Sequence, residues 1–459
     1  MYGINKKLQL HFIGIGGIGM SGIAEVLVNL GYKVSGSDLS KSNVVNRLET
    51  LGAKVFDGHR KENVKDADIV IYSSAVTSSN PEVVAAKEKN IPIIKRAEML
   101  AELMRLKFGI AVAGSHGKTT TTSFLATILS NLNYRPTYIV GGVVKNLGSN
   151  AGMGEGEFLV AEADESDGSF MHLNPIISVI TNIDNDHMDF YKNEETLVQA
   201  FVDFANKIPF YGHLIINGHD KKLGESIGSF KRPFVTFGIE GKELAVEKLD
   251  YCASDLKKEG EFLSFKLKNE GENATFRIRM HGEHNALNAM GAIIVAHKLG
   301  ASFKDIDDSI EGFEGVGRRL EILKNEENLM VIDDYGHHPT EIAATLNAIE
   351  SRYEGWELNV IFQPHRYTRS KTHWEEFVEV LTRDFNVHIL PIFAAGEEPI
   401  SYIDSEVMVK KINESGGNAH YVEDLKTMKE DFYSNSNNGK RLYLTLGAGS
   451  IGRQIRELL

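Results

Sequence analysis

A glycine-rich turn that carries a lysine is the segment of this chain whose residue types point most directly to chemistry. It reads Gly114-Ser-His-Gly-Lys-Thr-Thr120, and Thr119 directly follows Lys118. Backbone N–H groups in such a turn can hold a nucleotide phosphate, the lysine adds a positive charge, and the next hydroxyl can bind Mg²⁺. The longer pattern G-x-x-x-x-G-K-[ST] is not met, because Val112 stands where its first glycine would be. The turn therefore predicts a phosphate site, with an ordinary strand-to-helix turn as the alternative.

Two acidic segments follow apolar runs in the next part of the chain. Glu162-Ala-Asp-Glu-Ser-Asp167 comes after residues 158–161, and Asn182-Ile-Asp-Asn-Asp-His-Met-Asp189 comes after a second such run. Ligands of parallel sheets bind at the carboxyl ends of strands. Glu162 is therefore a candidate Mg²⁺ ligand, with a solvated acidic loop as the alternative. His187 is, on its chemistry alone, a poor ligand for a hard cation and more typical of a hydrogen-bonding side chain.

A different glycine motif occurs earlier in the chain. Gly14-Ile-Gly-Gly-Ile-Gly19 follows an apolar run, and Asp38 lies nineteen residues beyond Gly19. That spacing is typical of a turn that brings a nucleotide diphosphate to a helix N-terminus, with the acid on a ribose hydroxyl. NAD or FAD is the usual ligand, while another nucleotide, such as a UDP-sugar, and a purely structural turn are the alternatives. A further match, Gly447-Ala-Gly-Ser-Ile-Gly452, predicts only a tight strand-to-helix turn, because too little chain follows it to supply a strand and an acid.

Three polar segments contain the remaining candidates. Asn285 and Asn288 are three residues apart at the start of a predicted helix, so both amides face one side. They suit a purine edge or a ribose, and N-capping by Asn285 is the alternative. Asp333-Asp-Tyr-Gly-His-His-Pro-Thr-Glu341 and His365-Arg-Tyr-Thr-Arg369 follow two strands that we expect to be neighbours. Their arginines match carboxylates and phosphates in bidentate geometry, and a surface salt-bridge network is the alternative.

The elements that position these residues are predicted to alternate between strands and helices in three segments. Such alternation is typical of an α/β fold, with parallel sheets that are covered on both faces. Residues 262–267 and 274–280 instead alternate at period two around a polar turn, which predicts an antiparallel hairpin added to the second segment. We expect three domains with the bounds 1–105, 106–314 and 315–459.

Composition is that of an ordinary globular protein. The chain has 459 residues, of which 42% are hydrophobic and 25% charged, and its net charge of −13 argues against a broad nucleic-acid-binding surface. Cys252 is the single cysteine, so no intramolecular disulfide can form, which fits a reducing cytosol. No apolar stretch is long enough to span a bilayer, and no signal peptide is recognisable. We therefore expect a cytoplasmic protein that binds neither nucleic acid nor membrane.

Taken together, the motifs resemble those of the Mur ligases of peptidoglycan synthesis, and the likeness covers nearly the whole chain. The family usually has Thr where Ser115 stands, and the absence of a glycine at Val112 is what the family shows. The segments that occur in the family's order and spacing are 14–20, 36–38, 114–121, 162–167, 282–288, 317–319, 333–341 and 365–369.

The resemblance implies a Rossmann-like N-terminal domain for a UDP-sugar, a central P-loop ATPase-like α/β domain with a small added antiparallel sheet, and a C-terminal Rossmann-like domain for an amino acid. It also implies a ligase that forms a carbon–nitrogen bond. ATP would phosphorylate the lactyl carboxylate of UDP-N-acetylmuramic acid, and the amine of L-alanine would displace phosphate. ATP and Mg²⁺ are the implied cofactors, and a monomer or weak homodimer is expected. The resemblance also implies that the first glycine motif binds UDP and not NAD.

The family's functional residues carry over by position. ATP would be bound by Gly114, Ser115, His116, Gly117, Lys118, Thr119, Thr120, Asn285, Asn288, Arg319 and Asp334. The UDP-sugar would be bound by Gly14, Gly16, Gly17, Ile18, Gly19, Asp38, Ser73 and Ser74. Thr119 and Glu162 would bind one Mg²⁺, and His187 a second. The catalytic group would comprise Lys118, His187, Asn285, Asn288, Arg319, Asp334, His337, Arg366 and Arg369.

Three alternatives to addition of L-alanine are considered. The related ligase that attaches a tripeptide to the same nucleotide for recycling tends to have Phe-Ala at Tyr335-Gly336 and lacks the His-Arg-Tyr-Thr-Arg run at 365–369, so both segments favour L-alanine. An NAD-dependent oxidoreductase joined to a phosphate-loop module would leave the acidic and arginine segments unexplained. A catalytically silent nucleotide-binding protein is disfavoured by the intact Lys118, Thr119 and Glu162.

Overall fold

The computed structural model describes residues 7–73, 75–433 and 439–459. The chain divides into two compact units, Met1–Gly315 and Val316–Leu459. The first unit contains two sheets and the second contains one. The prediction of an α/β fold built from three segments of alternating strands and helices is therefore confirmed, with one sheet in each segment.

The first sheet has five parallel strands in the order β3-β2-β1-β4-β5. The order reverses between β1 and β4, and open parallel sheets bind their ligands outside the carboxyl ends of strands at such a reversal. The strands are β1 (Gln9–Ile13), β2 (Lys33–Asp38), β3 (Lys54–Asp57), β4 (Ile69–Tyr72) and β5 (Ile93–Lys95). The helices are α1 (Ile18–Asn29), α2 (Asn43–Leu51), α3 (Pro81–Glu88) and α4 (Arg96–Met104), with a 3-10 turn at Lys61–Val64.

The second sheet has ten strands in the order β15-β14-β13-β12-β11-β10-β6-β9-β7-β8. β6 lies between β10 and β9 and runs parallel to both, so the ends of two neighbours flank the turn that follows it. The strands are β6 (Phe108–Ala113), β7 (Thr137–Val144), β8 (Ser149–Gly152), β9 (Phe158–Glu162), β10 (Ile177–Ile180), β11 (His213–Asn217), β12 (Phe234–Ile239), β13 (Tyr251–Glu259), β14 (Phe262–Lys268) and β15 (Asn273–Ile278). The helices are α5 (Lys118–Asn131), α6 (Met188–Tyr191), α7 (Glu194–Ala205), α8 (Lys221–Ser226), α9 (Glu283–Lys298) and α10 (Phe303–Ile310), with 3-10 turns at Lys145–Leu147, Ser169–His172 and Ile227–Ser229.

The antiparallel hairpin predicted for the second segment is present as β14 and β15. It does not form a small sheet of its own, because β13 pairs antiparallel with β14 and parallel with β12, and all three strands continue the central sheet. The period-two pattern identified the hairpin because one face of it is buried, with Phe265 and Phe276 fully enclosed.

The third sheet has six strands in the order β16-β17-β21-β18-β19-β20, and β16 is antiparallel to β17. The last strand along the chain, β21, lies between β17 and β18. The strands are β16 (Glu321–Glu326), β17 (Leu329–Asp334), β18 (Glu357–Phe362), β19 (Asn386–Ile389), β20 (Asn418–Tyr421) and β21 (Arg441–Leu446). The helices are α11 (Pro339–Arg352), α12 (Tyr367–Thr372), α13 (Trp374–Leu381), α14 (Ser405–Glu414) and α15 (Ile451–Leu458), with a 3-10 segment at Leu425–Phe432.

Local sequence explains why these elements begin and end where they do. Ser42 caps α2 by accepting a hydrogen bond from the Val45 amide, and the helix ends at Gly52 in the left-handed conformation. α11 begins with Pro339 at its first position, where the missing N–H is not needed. Strand β6 is an unbroken apolar run because helices cover both faces of a parallel sheet.

The two sheets of the first unit share one core and are joined by polar contacts. Helix α1 of the first sheet packs on β7 and β8 of the second. The Asn150 side-chain amide donates to the Ile18 carbonyl at 2.8 Å. Arg96 Nη2 lies 2.9 Å from Asp164 Oδ2. These contacts fix the first glycine motif relative to the end of β9.

None of the helices in the described parts of the chain has the length and apolar character that crossing a membrane requires.

Candidate active site

The lysine turn joins β6 to α5, and two of its glycines adopt backbone conformations that other residues avoid. Gly114 has φ 130°, and Gly117, at the N-cap of α5, has φ 82°. A Cβ atom on Gly114 would lie 2.0 Å from Thr181 Oγ1, and one on Gly117 would lie 2.3 Å from Asn288 Oδ1. The turn therefore needs glycine at both positions for its backbone and for space. The first amides of α5 have no acceptor within the helix and suit an anion.

The end of β10 holds the lysine turn in place. The Ser115 amide donates to the Asn182 carbonyl at 3.1 Å, and the His116 amide donates to Asn182 Oδ1 at 2.9 Å. His116 Nε2 also lies 2.9 Å from Asp184 Oδ2. The backbone amides of Ser115 and His116 are thus engaged with the protein, which leaves Lys118, Thr119 and Thr120 as the amides best suited to phosphate.

The Lys118 ammonium group is fully engaged within the site. Its Nζ donates to the carbonyls of Gly114 at 2.6 Å and Ser115 at 3.2 Å, and to Glu165 Oε1 at 2.8 Å. Burial lowers the pKa of Lys118, but Glu165, Asp164 and further carboxylate charge nearby outweigh it, so the pKa is raised overall. The lysine therefore keeps its positive charge at neutral pH.

Glu165 is the buried partner of that lysine, and no motif indicated a role for it. Its side chain is completely enclosed, and its Oε2 makes no hydrogen bond. Burial, together with the nearby Asp164 carboxylate, raises the pKa of Glu165 to about 7 despite the attraction of Lys118. The Tyr191 hydroxyl donates to the Glu165 backbone carbonyl at 2.6 Å, which fixes the loop after β9. The sequence feature that could have indicated Glu165 is its place in the acidic run, three residues after Glu162.

The predicted metal ligands come from three elements around the lysine turn. Thr119 Oγ1 donates to Glu162 Oε2 at 3.2 Å, and the Gly141 amide donates to Glu162 Oε1 at 2.5 Å. His187 Nε2 lies 3.8 Å from Glu165 Oε1. Hydroxyl and carboxylate oxygens are ligands that Mg²⁺ prefers, and the unpartnered oxygen of Glu165 adds another. The residues present fit a Mg²⁺ site beside the turn.

Asn285 and Asn288 lie against the lysine turn, on the first turns of α9. The helix begins at Glu283 with Gly282 as its N-cap, so the alternative of N-capping by Asn285 is wrong. The Thr121 hydroxyl donates to Asn288 Oδ1 at 3.3 Å, and Asn288 Nδ2 donates to Asn285 Oδ1 at 3.4 Å. Both amides share one face, as their spacing predicts, and both are buried.

The first glycine motif follows β1 and leads into α1. Asp38, at the end of β2, accepts a hydrogen bond from the Gly16 amide at 2.8 Å and another from the Ser40 amide at 3.1 Å. Gly17 is the N-cap of α1. The residues that the structure gathers at this edge of the sheet are Gly14, Gly16, Gly17, Ile18, Gly19, Asp38 and Ser73, whereas Ser74 lies outside the described residues.

Arg96 joins this group although no motif indicated it. It is the first residue of α4, and a Cβ atom on Gly19 would lie 3.2 Å from its Nη1, so the guanidinium lies against the first turn of α1. It pairs with Asp164 at 2.9 Å. A guanidinium beside a helix N-terminus suits a diphosphate. The sequence offers only its position just after the apolar residues 91–94.

The candidate residues at the start of the second unit surround Asp334. Its carboxylate accepts hydrogen bonds from the amides of Leu320 and Gly336, each at 2.8 Å. Burial raises the pKa of Asp334, and the nearby Arg319 opposes that rise. Arg319 also lies 5.2 Å from the ring centroid of Tyr335. Asp334 in this structure thus shapes the turn between β17 and α11.

The arginine segment after β18 meets the histidine segment after β17. The prediction that these segments follow neighbouring strands is wrong, because β21 enters the sheet between β17 and β18, and order along the chain does not fix order in the sheet. The rings of His337 and His365 are nevertheless 6.0 Å apart. Arg369 Nη1 lies 3.4 Å from His365 Nδ1. Burial, with Arg369 and Arg366 close by, lowers the pKa of His365 to about 4, so its ring is neutral.

Arg366 has an unusual backbone conformation at the start of α12. Its φ is 68° and its ψ 140°, a region that costs a non-glycine residue about 1–3 kcal/mol and that recurs at functional sites. Its amide donates to the Phe393 carbonyl at 2.9 Å, and the His365 ring stacks on Phe393 with 5.5 Å between centroids. These contacts hold the strained residue in place.

Family models match nearly the whole chain. The Mur ligase family catalytic domain matches residues 9–108, the Mur ligase middle domain matches 112–296, and the glutamate ligase domain of Mur ligases matches 318–449. The chain belongs to the Mur ligase family.

Individual relatives are similar over their full length. The UDP-N-acetylmuramate–L-alanine ligase of Geotalea daltonii is 48% identical over 467 residues, which cover 100% of this chain and 99% of that protein. The crystal structure of the UDP-N-acetylmuramate–alanine ligase MurC of Thermotoga maritima superposes with a TM-score of 0.82 at 29% identity and covers 98% of each chain. A murein peptide ligase of Psychrobacter arcticus shares the fold, with a TM-score of 0.75 at 22% identity over 98% of each chain.

Proposed function

We propose that this protein is an ATP-dependent ligase that joins L-alanine to the lactyl carboxylate of UDP-N-acetylmuramic acid. The observation that carries the proposal is the 48% identity, over the full length, with the UDP-N-acetylmuramate–L-alanine ligase of Geotalea daltonii. The described site supports it, because a lysine turn, oxygen ligands for a cation and an arginine segment are the parts that such a reaction needs.

The proposed reaction has two chemical steps. A lactyl carboxylate oxygen attacks the γ-phosphorus of ATP, the bond to the bridging oxygen breaks, and ADP leaves an acyl phosphate behind. The amine of L-alanine then attacks the acyl carbon, phosphate departs with a former carboxylate oxygen, and the nitrogen loses a proton. Phosphoryl transfer depends mainly on positioning and on neutralising charge, which are tasks for fixed cationic groups rather than for a nucleophilic side chain.

We assign the neutralisation of the β- and γ-phosphates to Lys118. The carboxylates around Lys118 keep it charged, and its carbonyl partner Gly114 holds the ammonium at the start of α5. The first amides of that helix add further donors. Asn285 and Asn288, buried against the turn, are assigned with Arg319 and Asp334 to the adenine, ribose and phosphates of ATP.

We assign Mg²⁺ to the oxygen ligands beside the turn. Thr119 and Glu162 would hold one ion and His187 a second, in keeping with the 3.2 Å contact of the first two and with the buried, unpartnered oxygen of Glu165. Bound Mg²⁺ supplies charge neutralisation at the phosphate oxygens.

We assign recognition of the amino acid to the second unit and of the nucleotide sugar to the first sheet. Arg366 and Arg369 suit the L-alanine carboxylate and the acyl phosphate because guanidinium groups bind both in bidentate geometry, and His337 lies beside them. The UDP diphosphate fits the N-terminus of α1 with Arg96 against it. Three domains at 1–105, 106–314 and 315–459, a cytoplasmic location and a monomer or weak homodimer complete the proposal.

Phosphate release from ATP tests this function when each substrate is omitted in turn. We expect release only when ATP, UDP-N-acetylmuramate and L-alanine are all present. Lys118→Ala should abolish it, while Lys221→Ala, which changes an exposed lysine of the same unit, should not. Release that does not depend on the amino acid would overturn the assignment, and near-normal release by Lys118→Ala would overturn the role of the turn.

A further inference from the structure

We propose that Glu165 is a further functional residue of this site. Before nucleotide binds, its carboxylate holds Lys118 in a resting position. When nucleotide binds, Glu165 releases Lys118 and, together with His187, binds a Mg²⁺ ion instead. The inference rests on the proposed function, because it concerns the phosphate turn and the second Mg²⁺ assigned there. The inference adds Glu165 as a Mg²⁺ ligand that no motif indicated, and it explains why this carboxylate is buried.

The resting position of Lys118 follows from a count of its donors. A lysine ammonium has three N–H groups, and those of Lys118 go to Gly114 O, Ser115 O and Glu165 Oε1. To contact a phosphate, the ammonium must release one acceptor. The two carbonyls belong to the turn that would bind the phosphate, so the side chain of Glu165 is the contact that gives way.

Release of Lys118 would leave Glu165 as a buried charge without compensation. The other three acids of the run have partners of their own: Asp164 pairs with Arg96, Glu162 accepts hydrogen bonds from Thr119 and from a backbone amide, and Asp167 accepts one from the Ser169 amide. Glu165 is completely enclosed, and its Oε2 makes no hydrogen bond. An uncompensated buried carboxylate is strongly unfavourable, so either a proton or a metal cation must take the place of the lysine.

The position of His187 indicates which cation that is. Its Nε2 lies 3.8 Å from Glu165 Oε1. Adjacent ligands of an octahedral Mg²⁺ are about 3 Å apart, since each lies roughly 2.1 Å from the ion, so a shift of about 1 Å would bring both atoms onto one ion. A histidine alone is a poor ligand for this hard cation, and Glu165 supplies the carboxylate oxygen that the ion prefers. The geometry therefore suits an exchange in which Lys118 moves to the phosphates and Mg²⁺ takes its place.

Binding of Mn²⁺ tests the ligand role without turnover. The protein is loaded with UDP-N-acetylmuramate and a non-hydrolysable ATP analogue, and bound Mn²⁺ is counted by electron paramagnetic resonance. We expect two ions in the original protein and one in both Glu165→Gln and His187→Ala. The matched control Asp167→Asn changes an acid of the same loop but keeps the acceptor oxygen used by the Ser169 amide, so it should bind two.

The outcomes separate the inference from the proposed function. Two ions at unchanged affinity in Glu165→Gln would overturn the inference and leave the function standing. A single ion in the original protein would overturn both the inference and the second Mg²⁺ of the proposed function. Loss of one ion in Glu165→Gln, in a protein that does not ligate L-alanine, would support the inference and contradict the function.

Nucleotide affinity with and without metal tests the exchange itself. In EDTA, ATP must break the pair between Lys118 and Glu165, so Glu165→Gln should bind metal-free ATP about tenfold more tightly, the effect of one charge-assisted hydrogen bond. With Mg²⁺ present the same variant should require a higher metal concentration for half-maximal turnover. If Glu165 had a purely structural role, Glu165→Gln would bind metal-free ATP more weakly and would also require more metal for half-maximal turnover. That result would overturn the exchange.

Discussion

Replacement of Gly114 by alanine tests how the lysine turn is built. The backbone at this position has φ 130°, and an added Cβ would lie 2.0 Å from Thr181 Oγ1 and 3.1 Å from the backbone nitrogen and oxygen of Asn182. Thr181 cannot rotate away without losing the hydrogen bond that its hydroxyl donates to the His116 carbonyl at 2.6 Å. Gly114→Ala therefore strains the backbone and overlaps a neighbour that is itself held in place.

The expected cost is the sum of these two effects. Backbone strain at a glycine-only conformation costs about 1–3 kcal/mol, and overpacking in a dense interior costs about 1–3 kcal/mol. We expect Gly114→Ala to lower the free energy of unfolding of the first unit by about 2–6 kcal/mol. Gly52→Ala is the matched control: φ is 109° there, but nothing lies within 4 Å of the added Cβ, so only the strain remains.

A double mutant separates strain from overlap. Thr181→Ala removes the overlapped oxygen, so Gly114→Ala combined with Thr181→Ala should cost about 1–3 kcal/mol less than the sum of the single changes. Thr181→Ser keeps the oxygen and should give no such relief. Strictly additive costs would contradict the overlap argument.

Unfolding by urea measures these changes, followed by far-UV circular dichroism and by tryptophan fluorescence. Both tryptophans, Trp356 and Trp374, belong to the second unit, so their fluorescence is an internal control. We expect the dichroism transition to shift in Gly114→Ala while the fluorescence transition stays in place. A loss no larger than that of Gly52→Ala would refute the reasoning about the turn.

Three further predictions concern charged groups. Arg96→Gln should raise the KM for UDP-N-acetylmuramate with little change in the KM for ATP, because Arg96 lies against α1 and its ion pair with Asp164 is partly exposed; equal changes in both would contradict this. His365 should make the second unit less stable as the pH falls, because the pKa of its ring is about 4 in the folded protein and 6.5 in the unfolded chain. The unfolded chain then binds more protons between those values, so stability is complete above about pH 6.5 and falls by at most about 3 kcal/mol towards pH 4. Tryptophan fluorescence should show a weaker pH dependence in His365→Gln, and an identical one would refute the burial argument. Arg366→Gly should raise stability by up to about 2 kcal/mol, because relief of about 1–3 kcal/mol of backbone strain is partly offset by the chain entropy of glycine, and it should lower kcat/KM; unchanged kcat/KM would remove Arg366 from the proposed site.

The sequence predicted those features whose physics is local. The turn from Gly114 to Thr120 was recognisable because glycine, lysine and hydroxyl positions within seven residues suffice to define it. A simple topological rule placed Glu162 beside the turn, since the strand before it flanks β6 and runs parallel to it, whereas the metal role of His187 came only from the family resemblance. The α/β class and the Mur ligase family were predicted from the sequence and are confirmed by the fold and the comparisons.

Features that depend on contacts between residues far apart in the chain could not be predicted from the sequence. β21 lies far along the chain from β17 and β18, and nothing in its residues indicates that it enters the sheet between them. The pairing of Lys118 with Glu165 joins residues 47 positions apart and has no periodic signature. Arg96 belongs to the site only because α4 packs near α1.

Competition between two amino donors tests the central claim most directly. The protein is given ATP, Mg²⁺, UDP-N-acetylmuramate and equal amounts of L-alanine and the tripeptide used in recycling, and the products are separated and weighed by mass spectrometry. We predict that the L-alanyl nucleotide is the main product and forms only when ATP is consumed. A predominance of the tripeptide adduct, or ATP consumption that yields neither product, would contradict the account.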